Sequence, residues 1–179
     1  LFTISPSNRK PTQVTQGAYD VESPDWINNN QIAFISNLTA DADLTRDKYI
    51  YRISSPSGEP IQITQRKHVI SVIKVAPKGD EIAYLGHDYR FGLATFQDLW
   101  VVSVDGEVST NLTKTYDFDI GNSVVCDTRI VTPHCNPKWS SDGKDLYFTL
   151  VQNGISSLYK LSRDNLTLQK ILGSVDHSV

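Results

Sequence analysis

Lys138-Trp139-Ser140-Ser141-Asp142-Gly143-Lys144-Asp145-Leu146-Tyr147-Phe148, followed by Leu158-Tyr159-Lys160, is the stretch that decides the fold. An extended run meets an Asp-Gly turn, then an apolar-aromatic strand, a loop, and a second apolar-aromatic strand. Lys74-Val75-Ala76-Pro77-Lys78-Gly79-Asp80-Glu81-Ile82-Ala83-Tyr84 with Leu99-Trp100-Val101 repeats that order. A looser copy runs from Pro24-Asp25-Trp26 through Asn29 to Ile32-Ala33-Phe34, with Ile50-Tyr51-Arg52. Copies finish on a polar residue, an apolar residue and threonine, as in Gln62-Ile63-Thr64 and Asn111-Leu112-Thr113. A four-stranded unit recurring about every 50 residues is the signature of a β-propeller blade. Such a unit cannot bury both faces alone, so it needs a neighbour on each side.

Working outward, strand composition agrees. Ile32–Ser36, Tyr49–Ile53, Leu99–Val104 and Leu146–Val151 are rich in β-branched and aromatic residues. Tyr49, Tyr51 and Ile53 share one face, and Ile50 and Arg52 the other. Ser57-Gly58, Lys78-Gly79, Asp105-Gly106 and Asp142-Gly143 sit where hairpins need turn residues. No segment keeps a helical period over three turns. The expectation is an all-β propeller fragment with three complete blades at 17–65, 66–114 and 115–172. Residues 1–16 read as the end of an earlier blade and 173–179 as the start of a further one. Three stretches exceed the repeat: Ser36 to Lys48, Gly86 to Gln97, and Thr115 to Asn136. Extra length in a regular array marks loops on one face, often the binding face.

The 17 basic and 20 acidic side chains nearly balance, which argues against a nucleic-acid surface. No apolar run approaches the roughly 20 residues of a membrane span. We expect no secretion signal and a cytoplasmic location. The chain contains no methionine and starts at Leu1, which reads as a piece of a longer protein. Cys126 and Cys135 are expected as reduced thiols, a disulfide requiring an oxidising compartment. Asn37-Leu38-Thr39, Asn111-Leu112-Thr113 and Asn165-Leu166-Thr167 match the glycosylation pattern but read as threonine-terminated strand ends.

Catalytic chemistry is thin. Gly121-Asn122-Ser123 and Gly154-Ile155-Ser156 each lack the second glycine of a hydrolase elbow, and neither precedes a helix. The four histidines, His68, His87, His134 and His177, are scattered, and Cys126, His134 and Cys135 lack zinc-ribbon spacing. Asp41/Asp43 and Asp117/Asp119 place carboxylates in pairs suited to a calcium ion, but a solvated loop explains them more simply. No cofactor or metal is expected. Gly86-His87-Asp88-Tyr89-Arg90-Phe91-Gly92 is the most informative loop. Arg90 suits a carboxylate, and Tyr89 and Phe91 suit an apolar contact.

Trp139-Ser140-Ser141-Asp142-Gly143-Lys144 with Leu146-Tyr147-Phe148 resembles the repeat of TolB-like and prolyl-oligopeptidase-type propellers. Tyr84–Asp88 with Ala94-Thr95, and Cys126-Asp127-Thr128-Arg129 before Pro137-Lys138-Trp139, resemble the acylaminoacyl peptidase/dipeptidyl aminopeptidase branch of that peptidase family. The first copy departs most, with Ile27-Asn28-Asn29-Asn30 at its turn. The resemblance implies a propeller that precedes an α/β-hydrolase domain and admits only peptides to its serine nucleophile. No triad residue maps onto this sequence, so the fragment is expected to be inactive by itself, gating and selecting peptides for its own C-terminal hydrolase domain. Tyr89, Arg90, Phe91, Asp117 and Asp119 are the candidate contacts. The alternative is a TolB-like module that docks protein partners. An incomplete ring is also expected to self-associate through its open faces.

Overall fold

The computed structural model describes residues 1–106, 108–121 and 136–173. Three four-stranded antiparallel sheets follow a two-stranded one, and each is a simple meander. The first pairs β1 (Phe2–Ile4) with β2 (Pro11–Gln13). The second holds β3 (Glu22–Asn28), β4 (Gln31–Ser36), β5 (Tyr49–Ser54) and β6 (Ile61–Gln62). The third holds β7 (Val69–Val75), β8 (Glu81–His87), β9 (Asp98–Ser103) and β10 (Thr110–Asn111). The fourth holds β11 (Lys138–Trp139), β12 (Asp145–Gln152), β13 (Ile155–Ser162) and β14 (Leu168–Leu172). Together they form an all-β propeller fragment. The further partial blade expected at the C-terminal end lies outside the described residues.

Side-chain alternation explains the stacking. In a strand, successive residues face opposite ways. On β4, Ile32 and Phe34 pack with Val14, Tyr49, Tyr51 and Ile53 toward the two-stranded sheet. Ala33 and Ile35 turn the other way and meet Ile73, Ile82, Tyr84 and Trp100 of the next blade. On β8 the pattern repeats, and Ala83 and Leu85 meet Leu146, Phe148 and Leu150. The central strands β4 and β8 are therefore apolar on both faces, because the second and third sheets are each sandwiched between two others.

The first strands of neighbouring blades approach one another, β3 against β7. There the Ser23 Oγ accepts a hydrogen bond from the Ile73 N–H (3.1 Å), and Asp25 Oδ2 accepts one from the Val75 N–H (2.8 Å). Side chains two residues apart thus serve backbone donors two residues apart. The strand edge at the narrow end of the wedge is closed without another strand. One blade further on, the Trp139 indole N–H donates to the Lys74 carbonyl at 2.9 Å, and the Arg163 guanidinium lies 5.2 Å over the Trp139 ring. Arg163 also makes a bidentate pair with Glu81 at 2.6 and 2.8 Å.

The threonine endings have a physical reason. The Thr64 hydroxyl accepts the Ile50 N–H at 2.9 Å, and the Thr113 hydroxyl accepts the Leu99 N–H at 3.0 Å. Both hydroxyls are buried where the short fourth strand has ended. Each supplies an acceptor that the ladder no longer provides.

Candidate functional site

Reversal of every strand sorts the connections between two rims. The hairpins joining first to second and third to fourth strands fall on one rim. The loops joining second to third strands, and the connections between blades, fall on the other. Both long loops, 37–48 and 88–97, therefore share a rim with the connections 14–21, 63–68 and 112–121. Each long loop holds a single 3-10 turn at the same place, Ala42–Leu44 in one and Gly92–Ala94 in the other.

The second loop is built from its own residues. Asp88 Oδ1 accepts the Arg90 N–H at 3.1 Å, and Asp88 Oδ2 accepts the Arg90 Nη2 at 2.9 Å. Partial burial works to raise the Asp88 carboxyl, but the hydrogen bonds and charge of Arg90 outweigh it and hold it below the usual carboxylate range. Tyr89 takes a left-handed backbone (φ 59°), and its ring stacks on His87 at 5.7 Å. The Thr95 hydroxyl accepts the Phe91 N–H at 2.7 Å and donates to the Gly92 carbonyl, fixing the 3-10 turn. Phe91 is left 71% exposed and Phe96 50% exposed, in a segment otherwise hydrogen-bonded to itself.

The connection at 112–121 lies alongside. Asp119 Oδ1 accepts the Gln97 N–H at 2.8 Å, which ties the connection to the end of the loop. Tyr116 and Phe118 stack at 5.3 Å. A hollow of about 240 Å³ opens between the two segments, lined by Arg90, Phe91, Phe96, Tyr116, Asp117 and Phe118 among others. The structure thus brings Arg90, Phe91 and Asp117 to one hollow. Asp119 is engaged with backbone beside it, and Tyr89 leans on His87 instead. A second hollow of about 450 Å³ shares Asp88, Arg90, Asp98 and Lys114 with the first, and adds Arg66, Trp100 and Asn111. Arg66, Phe96 and Lys114 were not legible as site residues, since each stands alone in its own stretch of sequence. Their one available signal is the repeat itself, which sends both interblade connections to the rim of the long loops.

Among the described residues no group of three or more His, Cys, Asp or Glu side chains converges to hold a metal ion. Asp41 instead accepts the Thr39 hydroxyl at 2.6 Å, which lowers its carboxyl. Ser123, Cys126, His134, Cys135 and His177 lie outside the described residues. Of the described residues, no helix is long and apolar enough to cross a membrane.

Solved structures share this architecture. TolB from Acinetobacter baumannii superposes with a TM-score of 0.66 at 15% identity, over 94% of this chain and 36% of its own. An oligogalacturonate lyase in complex with manganese gives 0.64 at 12% identity, over 97% and 47%. A puromycin-hydrolyzing peptidase of Mycobacterium tuberculosis gives 0.60 at 12% identity, over 89% and 23%. The chain thus spans less than half the length of each, and at such identities the likeness concerns the fold, a TolB-like propeller also found among peptidases. No protein-family model matches the sequence, and no curated protein matches it.

Proposed function

We propose that the chain is the non-catalytic propeller segment of an acylaminoacyl-peptidase-like serine peptidase, which gates and selects peptides for an α/β-hydrolase domain. The observation that carries this reading is the convergence of both long loops and the interblade connections on one rim, with Arg90, Phe91 and Asp117 around one hollow. A rigid rim of this kind excludes folded proteins by size and orients an extended chain by a few charged and apolar contacts. The motif around Trp139 and the fold shared with the mycobacterial peptidase support it.

Titration of the purified chain with short fluorescent peptides tests the reading. Binding is expected, and Phe91→Ala or Arg90→Ala weakens it by about tenfold, the scale of one well-used contact. The chain is expected to leave acyl-peptide and aminoacyl chromogenic substrates uncleaved. Cleavage by the purified chain would place the chemistry here and overturn the assignment. A TolB-like docking module is the second reading, favoured by the exposure of Phe91 and Phe96 together. It requires a folded partner to bind where short peptides do not.

A further inference from the structure

The hollow floored by Trp100 has an uneven charge balance. Its two carboxylates are already engaged. Asp98 accepts hydrogen bonds from the Asn111 amide (2.8 Å) and the Thr113 hydroxyl (3.1 Å), and Asp88 is held by Arg90. Arg66 and Lys114 line the same hollow and make no hydrogen bond or ion pair among the described residues. Asp98 is bonded only to neutral groups and keeps its charge, so Arg66, Arg90 and Lys114 against Asp88 and Asp98 leave the recess one positive charge in excess, with Arg66 and Lys114 unpaired among the described residues. Across the shared wall of Arg90 and Lys114 lies the smaller hollow, whose lining includes Phe91, Phe96 and Tyr116 together with the Asp117 carboxylate. A cationic recess beside an aromatic one calls for a ligand carrying a carboxylate next to an apolar group.

We propose that the two hollows form one subsite for the C-terminal residue of a peptide. The free α-carboxylate lies between Arg66 and Lys114, and an apolar last side chain lies against Phe91, Phe96 and Tyr116. Arg66 offers the planar fork that suits a carboxylate, and Lys114 adds a point charge. The proposal rests on the reading of this rim as peptide-binding, and narrows it to peptides presented by their C-terminal end.

The test uses the purified chain and a tetra-alanyl-phenylalanine peptide labelled at its N-terminus, followed by fluorescence anisotropy at low salt. Three forms are compared: the free acid, the C-terminal amide, and an amide ending in aspartate. The free acid is expected to bind at least about tenfold tighter than the phenylalanine amide, the scale of a charge-assisted contact. Arg66→Ala and Lys114→Ala each shrink the acid-to-amide ratio toward one, and so does raised salt. Both substitutions fall on exposed side chains, and a thermal melt confirms that the variants are folded. Equal affinity for acid and amide overturns the proposal while leaving peptide binding intact. An aspartyl amide that binds as tightly as the free acid overturns the assignment to the chain terminus. Failure of all three to bind overturns the proposal and the peptide-binding reading together.

Discussion

Gly79 and Gly143 occupy the same hairpin turn in successive blades, and their surroundings differ. Both have positive φ, 72° and 75°, and both donate to the carbonyl three residues back. A Cβ on Gly143 would meet nothing within 4 Å, whereas one on Gly79 would stand 2.4 Å from the Ile27 carbonyl oxygen of the preceding blade. Gly143→Ala is therefore expected to cost about 1 kcal/mol from backbone conformation alone. Gly79→Ala is expected to cost roughly 3 kcal/mol or more, because the obstacle is backbone and the blades must separate. Urea unfolding of the two variants checks this, and equal losses would mean that the approach of the blades is not tight there. The turn itself was legible, since Lys78-Gly79 and Asp142-Gly143 sit between apolar runs. The clash was not, because its partner is remote in sequence. The same division holds at the rim. Arg90 and Phe91 stood out as a mixed charge-aromatic loop, while Arg66 and Lys114 gain meaning only once their connections are folded together.

Between elements, the seam joining the second and third sheets contains a buried base. His68 is 3% exposed, its ring lies 4.7 Å from Trp100, and Nδ1 is 3.3 Å from the Tyr84 hydroxyl. Its backbone carbonyl accepts the Lys48 N–H at 2.8 Å, so the histidine sits where two blades are stitched. Burial pushes the imidazole below its ordinary value of 6.5, against the pull of Asp88 and with the help of Arg66 and His87. Burial likewise drives the Tyr84 hydroxyl up to about 12. The unfolded chain thus takes up a proton on His68 at a higher pH than the folded chain. The stability tied to its neutral form is complete above about pH 6.5 and is lost as pH falls toward the lower folded value. His87, also lowered by burial, contributes with the same sign. Urea midpoints at pH 7.5 and 5.5 are expected to fall on acidification, and His68→Gln should flatten that slope. An unchanged slope in the variant would assign the pH dependence elsewhere. Strands such as β4 and β8 were legible because burial on both faces leaves apolar runs. The span of β3 was less so, since Ser23 and Asp25 belong there for the backbone donors they serve on β7, and hydrophobic patterning does not record that service.

At the scale of the whole molecule, the wedges stack without closing. The first sheet leaves Phe2 and Ile4 63% and 62% exposed, and the last leaves Ile171 and Leu172 45% and 58% exposed. Apolar groups at both open ends, beside strand edges that are unpaired among the described residues, favour contact with another surface of the same kind. Light scattering of the purified chain is expected to show association that grows with concentration, and Phe2→Lys with Leu172→Lys should reduce it. A monomer at all concentrations would show that these ends are tolerated in water. The three-blade plan was legible from the recurring turn and strand signals. The gathering of the long loops on one face was legible too, from their extra length; what the sequence could not convey was how closely the blades approach at the other. On the hairpin rim, the glycine at 79 meets its neighbour's backbone with no room to spare, so that edge behaves as a fixed datum from which the blades are spaced. The opposite edge carries the long loops, whose tips can lengthen or change chemistry as long as the stitches at their bases, Lys48 to His68 and Gln97 to Asp119, are kept. New recognition properties are thus most readily acquired by altering residues 37–48, 88–97 and 112–118, while the hairpin edge holds the angular pitch of the array constant.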